Sequence, residues 1–287
     1  MSDQAANLRF MMDKSADIGI KVITVTSGKG GVGKSSFALN FAIALSRRGK
    51  KVLVVDMDFG LANIDVMLGV TTKYDLLNVV RDHRDIREVI EVGLEGVRFI
   101  SGGSGMYELV KLNAPQLTRI MNNLFHLGDI VDTIIFDTGA GISDNILRLI
   151  CASHETILIA TPEPTSVMDA YAMVKIVSRQ DVNANVLLVI NKADTEKEAH
   201  AAMDGFIRIA QKYTNMSIKE FGYILRDNNM VKAVKQQVPI LVSYPKCTAS
   251  MNIEQLTDKY LMTPQPEKLS FAGFFERLLN KNYKVPE

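Results

Sequence analysis

Gly28-Lys29-Gly30-Gly31-Val32-Gly33-Lys34-Ser35 decides the fold, because of what stands on either side of it. A β-branched run, residues 20–26, precedes it, and an amphipathic segment, residues 34–48, follows. The octet fits G-x-x-x-x-G-K-[ST], a strand-to-helix turn that wraps phosphate in backbone N–H groups. Its glycines let those groups turn inward, and the helix N-terminus adds the positive end of its dipole. Lys34 can reach β/γ-phosphate oxygens, and the Ser35 hydroxyl can ligate Mg²⁺ directly. Gly28, Lys29, Gly30, Gly31, Val32, Gly33, Lys34, Ser35 and Ser36 are therefore candidate nucleotide contacts.

Outward from this loop the same alternation continues. Runs at 51–56, 97–101, 131–137, 156–161, 185–191 and 219–225 are almost continuously apolar, as strands covered on both faces are. Helical patterns at 115–127, 144–151, 166–179 and 197–213 lie between them. The expected fold is α/β: one doubly wound, mostly parallel sheet with helices on both faces, spanning residues 20–262. A segment at 1–19 and a tail at 263–287, opened by Thr263-Pro264-Gln265-Pro266, flank it. At 287 residues the chain can bury a full core without staples. Thirty-three basic against 32 acidic residues leave a net charge of +1, with no whole-chain field for nucleic acid. Only two cysteines, Cys151 and Cys247, far apart, argue against a disulfide scaffold or a cysteine metal site. The start is polar, and apolar runs reach about five residues against the roughly 20 of a membrane span, so a cytoplasmic location is expected.

Three acids end two of the strand runs: Asp56 and Asp58 after residues 51–55, and Asp137 after residues 133–136. Ligands of α/β sheets bind beyond the carboxyl ends of strands, which brings these acids to the phosphates. Asp137 suits holding the magnesium's water shell, with Asp56 and Asp58 also reaching it through water. No Glu or Gln follows Asp137 to orient a water, so Asp58 is the candidate to position and polarise the nucleophile. Lys29, Lys34, Asp58 and Asp137 form the candidate catalytic set. Each acid can instead cap the segment after it.

The run Lys29-Gly30-Gly31-Val32-Gly33-Lys34-Ser35 resembles the deviant Walker A loop of the MinD/ParA family of ATPases. The resemblance implies a P-loop NTPase in which Lys29 reaches across an ATP-dependent homodimer to the partner's nucleotide. Asp56-Met57-Asp58-Phe59-Gly60-Leu61-Ala62-Asn63-Ile64-Asp65 and Asp137-Thr138-Gly139-Ala140-Gly141 are similar to segments of the same family, the second a switch loop. Gly60 to Asp65 are most similar to its FlhG branch of flagellar number and placement regulators. Asn191-Lys192-Ala193-Asp194 spells N-K-x-D, whose last acid reads guanine N1 and N2 in many GTPases. In the MinD family the Asn contacts adenine and no later acid is needed, so the resemblance implies ATP/ADP with Mg²⁺. It also places Arg226 and Asp227 on the wall beside the base. Asp194 can equally cap the helix that follows.

On a helical wheel Phe271, Phe274, Phe275, Leu278 and Leu279 share one apolar arc, with Lys268, Arg277, Lys281 and Lys284 nearby. Such a helix suits an anionic membrane surface. It also suits packing on the domain core. The resemblance to the family's membrane-targeting tail favours the first, with reversible binding to the inner face of the cell membrane. Asp3, Gln4, Ala5, Leu8 and Arg9 are similar to the FlhG-branch element that docks on the signal-recognition-type GTPase FlhF. A frayed terminus is the plainer alternative. The expected function is an ATPase switch, slow unless stimulated, that controls number and placement of bacterial flagella through the membrane, FlhF and a basal-body protein. Alternatives are a ParA-type DNA-segregation ATPase and a metabolic kinase or ligase on the same fold; specific nucleic-acid binding is not expected.

Overall fold

The structure is a computed structural model that describes residues 19–58, 64–75, 78–79, 82, 84–101, 123, 127–180, 184–263 and 271–278. Along β1 (Lys21–Ser27) successive side chains point to opposite faces, and both faces are buried. Ile23 and Val25 join one core, whereas Val22 joins another on the far side. The same division holds in β2 (Val52–Met57), where Val52 and Val54 face one way and Leu53 and Val55 the other. Strands with two dry faces carry apolar residues at every position, which is why these runs lack polar alternation.

The remaining strands are β3 (Glu91–Val92), β4 (Arg98–Ile100), β5 (Thr133–Ala140), β6 (Glu155–Ala160), β7 (Val186–Ala193) and β8 (Ile218–Leu225). Their order is β3-β4-β2-β5-β1-β6-β7-β8, and every pairing is parallel except β3 with β4. The seven expected strands are all present, and the sheet is doubly wound as expected. β3 was not anticipated: two residues, Glu91 opposite Phe99 and Val92 opposite Arg98, are too short to show a period.

Helix α1 (Lys34–Arg47) covers one face, its Phe37 and Phe41 rings stacked at 5.3 Å. The short helices α2 (Ile64–Leu68) and α3 (Ile86–Val89) follow β2. The opposite face carries α4 (Asp144–Ala152), α5 (Pro164–Arg179) and α6 (Glu196–Tyr213). After β8 come α7 (Asn228–Gln236), α8 (Ile240–Ser243) and α9 (Thr248–Met262), which pack beside α1. Tyr260 of α9 meets Phe41 edge-on at 5.3 Å, and Arg48 pairs with Glu254 and Asp258, closing α9 over the end of α1. The expected helix at 115–127 lies largely outside the described residues.

The final helix, α10 (Phe271–Leu278), lays its apolar face on the domain core, the second of the two roles its pattern suits. Phe271, Phe274 and Phe275 are buried against Ile20, Val22, Phe136 and Leu149. Phe274 stacks on Phe136 with ring centroids 5.7 Å apart. The physical reason is the bare strip of β1 and β5 beside α4, which an apolar helix face must cover. Burying each phenylalanine stabilises the docked helix by about 1.5–3 kcal/mol. Leu278 is partly buried at the edge of that core, and Leu279 lies outside the described residues. So do Asp3, Gln4, Ala5, Leu8 and Arg9.

Candidate nucleotide site

β1 is flanked by β5 and β6, and the chain runs outward from it in both directions, so the turn after β1 stands at the topological switch point. That turn is the glycine loop. Its first glycine is pinned by packing: a Cβ on Gly28 would lie 2.3 Å from the backbone carbon of Asp169 in α5. Its last needs glycine twice over. Gly33 has φ +93°, and a Cβ there would lie 2.4 Å from Asn191 Nδ2.

The loop is braced from the end of β7. Asn191 Nδ2 donates to the Val32 carbonyl at 2.7 Å, and Lys192 Nζ donates to the Gly31 carbonyl. Asn191, expected at the adenine, here braces the phosphate loop. Lys192 was not singled out from the sequence, although its N-K-x-D neighbours were.

Lys34 Nζ sits 2.7 Å from Asp137 Oδ1, both side chains buried, and 3.3 Å from Ser35 Oγ. Burial pushes the Asp137 carboxyl above the ordinary carboxylate range, opposed by the Lys34 charge and by hydrogen bonds from Lys34 and Ser35. Its other oxygen, Oδ2, is buried without a hydrogen-bond partner among the described residues. An orphaned carboxylate oxygen beside a phosphate loop fits a metal-bound water as its donor. The residues present therefore suit Mg²⁺, with Ser35 as direct ligand and Asp137 through water.

Asp56 and Asp137 are register partners across β2 and β5, yet they do different work. Asp56 is fully buried; its Oδ1 accepts the Asp58 amide at 2.9 Å and its Oδ2 accepts the Ile64 amide at 3.2 Å. The carboxylate expected in the metal's water shell thus holds backbone in this structure, and it positions Asp58 and the start of α2. Asp58 itself lines the cleft and lies against Gly139 near the end of β5, its Oδ1 3.5 Å from where a Cβ there would be. Backbone can approach the carboxylate at that glycine.

Lys29 stands at the mouth of the loop. Its Nζ donates to Glu163 Oε2 and to Thr165 Oγ1, both at 3.0 Å. The ammonium holds the Glu163 carboxyl below its usual range, through the hydrogen bond first and the charge second. Neither partner was anticipated; the pattern that marks them is Glu163-Pro164-Thr165, where a strand end meets a helix start with proline at its first position.

The cleft beyond the loop has a volume of about 770 Å³, and Arg226, Asp227, Met230 and Val231 line its far wall. Arg226 and Asp227, expected on the wall beside the base, both line this cleft. Asp227 does not offer a free carboxylate to a base, however: its oxygens accept the amides of Asn229 and Ala249, capping α7 and the first turn of α9. Among the described residues no group of three or more His, Cys, Asp or Glu can hold a metal by itself, and Cys151 is buried with its thiol pushed up to about 12 by burial.

A fold of this order with a phosphate loop at its switch point and carboxylates on the adjacent strands defines a P-loop NTPase. The chain belongs to the ParA family of these proteins, whose description, "NUBPL iron-transfer P-loop NTPase", matches residues 20–261. It is 32% identical over 264 residues to the antiactivator FleN of Pseudomonas aeruginosa, covering 91% of this chain and 94% of that protein. It is also 32% identical over 269 residues to the flagellum site-determining protein YlxH of Helicobacter pylori, covering 90% of each. Among solved structures, the MinC:MinD cell division protein complex of Aquifex aeolicus shares the fold with TM-score 0.70 at 24% identity, over 87% of this chain and 99% of that one.

Proposed function

We propose that this protein is an ATP-dependent switch that hydrolyses ATP to ADP, slowly unless stimulated, and controls the number or placement of bacterial flagella. The observation that carries the switch is Lys29: a cation at the mouth of the phosphate loop, held by a half-exposed ion pair rather than buried like Lys34. Exposed pairs are worth only about 0–1 kcal/mol, so Lys29 can exchange Glu163 for a phosphate brought by a second subunit. The flagellar role rests on likeness to FleN and YlxH.

In this reading the loop amides and the N-terminus of α1 hold the β- and γ-phosphates, and Lys34 leaves Asp137 for the γ-phosphate oxygens. Ser35 directly and Asp137 through water would hold Mg²⁺, which would supply charge neutralisation at the phosphates. Asp58 accepts a hydrogen bond from the attacking water and aims it at the γ-phosphorus. Closing the switch segment around Gly139 on the γ-phosphate gives ATP and ADP states their different contacts.

Membrane binding then requires α10 to leave its groove, exposing Phe271, Phe274 and Phe275 to an anionic surface. Two such helices on one ATP dimer gain avidity of about 10²–10⁴-fold over one. The segment around Asp3, Gln4, Ala5, Leu8 and Arg9 is assigned to a partner GTPase of the FlhF type, and a basal-body protein completes the set. No helix among the described residues is long and apolar enough to cross a membrane.

Co-sedimentation with anionic liposomes tests this, using ADP and a non-hydrolysable ATP analogue on the full chain and on one ending at Met262. A dimer that pellets only with the analogue and only with its tail is the expected result. No dimer and no pelleting with the analogue overturns it. Analogue-dependent binding to non-specific DNA instead favours a segregation ATPase.

A further inference from the structure

The N-K-x-D sequence at the end of β7 is only half used by the phosphate loop. Asn191 and Lys192 turn inward to the Val32 and Gly31 carbonyls. Asp194 does not line the cleft; its Oδ1 accepts from Arg226 Nε at 2.7 Å. Arg226 is anchored independently, its amide donating to the Ala193 carbonyl at 2.8 Å, which sets the ends of β7 and β8 side by side. Arg226 therefore lies between the acid and the cleft that it lines itself.

Charge at this corner matters to a purine. An ionised carboxylate is an acceptor only. It suits guanine, whose adjacent N1–H and N2 amino group both donate to one carboxylate, better than adenine, whose acceptor N1 stands beside its N6 amino donor. We infer that Arg226 sets the purine preference of the site by occupying Asp194, so that guanine gains nothing from the N-K-x-D acid. This rests on the nucleotide-site reading above. The pair is solvent-exposed on both sides, 60% and 65%, so its hold on selectivity is modest. Releasing Asp194 should shift the ratio of GTP to ATP affinity by about tenfold, within what a hydrogen-bonding acid confers.

The test is competition of unlabelled ATP and GTP against a fluorescent ADP analogue on the full chain with Mg²⁺, carried to millimolar nucleotide. The proteins are the wild type, Arg226→Gln, Asp194→Asn and the double variant. The wild type should prefer ATP, and Arg226→Gln should move the ratio toward GTP by about tenfold. Asp194→Asn alone should keep the wild-type ratio, and added to Arg226→Gln it should restore that ratio. An unchanged ratio in Arg226→Gln, or a shift that persists in the double variant, overturns the inference while leaving the nucleotide site intact. So does loss of both nucleotides in Arg226→Gln, because Arg226 would then carry affinity rather than choice. A wild type that binds neither nucleotide overturns the site and the inference together.

Discussion

Lys29 Nζ lies 3.0 Å from Glu163 Oε2, so the lysine that distinguishes this phosphate loop is held within its own subunit by the strand-to-helix turn after β6. Lys34, five residues on, is buried against Asp137 in the floor of the same site. One loop thus carries a buried cation and a half-exposed one, which is the division that the proposed switch needs between holding a nucleotide and responding to a second subunit.

Replacing Lys29 with alanine separates those two duties experimentally. Because its ion pair is exposed, the urea midpoint should barely move. ADP binding should persist, whereas the dimer formed with an ATP analogue should disappear in light scattering. A variant that dimerises normally would remove Lys29 from the switch.

Asp58→Ala should leave ATP-dependent dimers intact and lower turnover by about 10²-fold or more, the usual range for losing a positioned proton acceptor. Steady-state phosphate release, measured beside dimer mass, checks it. Full turnover would assign the water to another group.

Gly33→Ala should abolish nucleotide binding. The substitution meets both a φ of +93° and Asn191 Nδ2 at 2.4 Å. Changing Asn191 to alanine as well relieves the contact but not the dihedral, which still costs about 1–2 kcal/mol. Calorimetric titration with ADP should therefore show at most partial recovery in the double variant.

Phe274→Ala empties the stack on Phe136, and a fully buried phenylalanine cut to alanine costs about 3–5 kcal/mol when its surroundings stay in place. If α10 leaves as a unit, the measured loss stops at the free energy of undocking. Hydrogen exchange should then show α10 amides unprotected while α1 keeps its protection. Equal loss of protection in both would mean that α10 is inseparable from the core.

The phosphate loop, the strand-helix alternation and the order of the acids were legible because each is local. A glycine octet, a β-branched run and a strand-end carboxylate sit within a few residues of one another, and backbone chemistry imposes those spacings on the sequence. The carboxylates show where that legibility stops. Asp56, Asp58, Asp137 and Asp227 look alike as acids at strand ends. Their roles diverge by which backbone amides reach them: Ile64 and Asp58 for Asp56, Asn229 and Ala249 for Asp227.

By itself the sequence determined a phosphate-loop turn on a parallel sheet, down to the loop residues that line the cleft, because phosphate recognition by backbone needs those residue types in that order. Only the tertiary structure decided the pairings between distant segments: Lys29 with Glu163, Asp194 with Arg226, and the α10 phenylalanines with Phe136. An amphipathic helix encodes that it has an apolar face but not what covers it. Here the uncovered strip of β1 and β5 beside α4 supplied the partner.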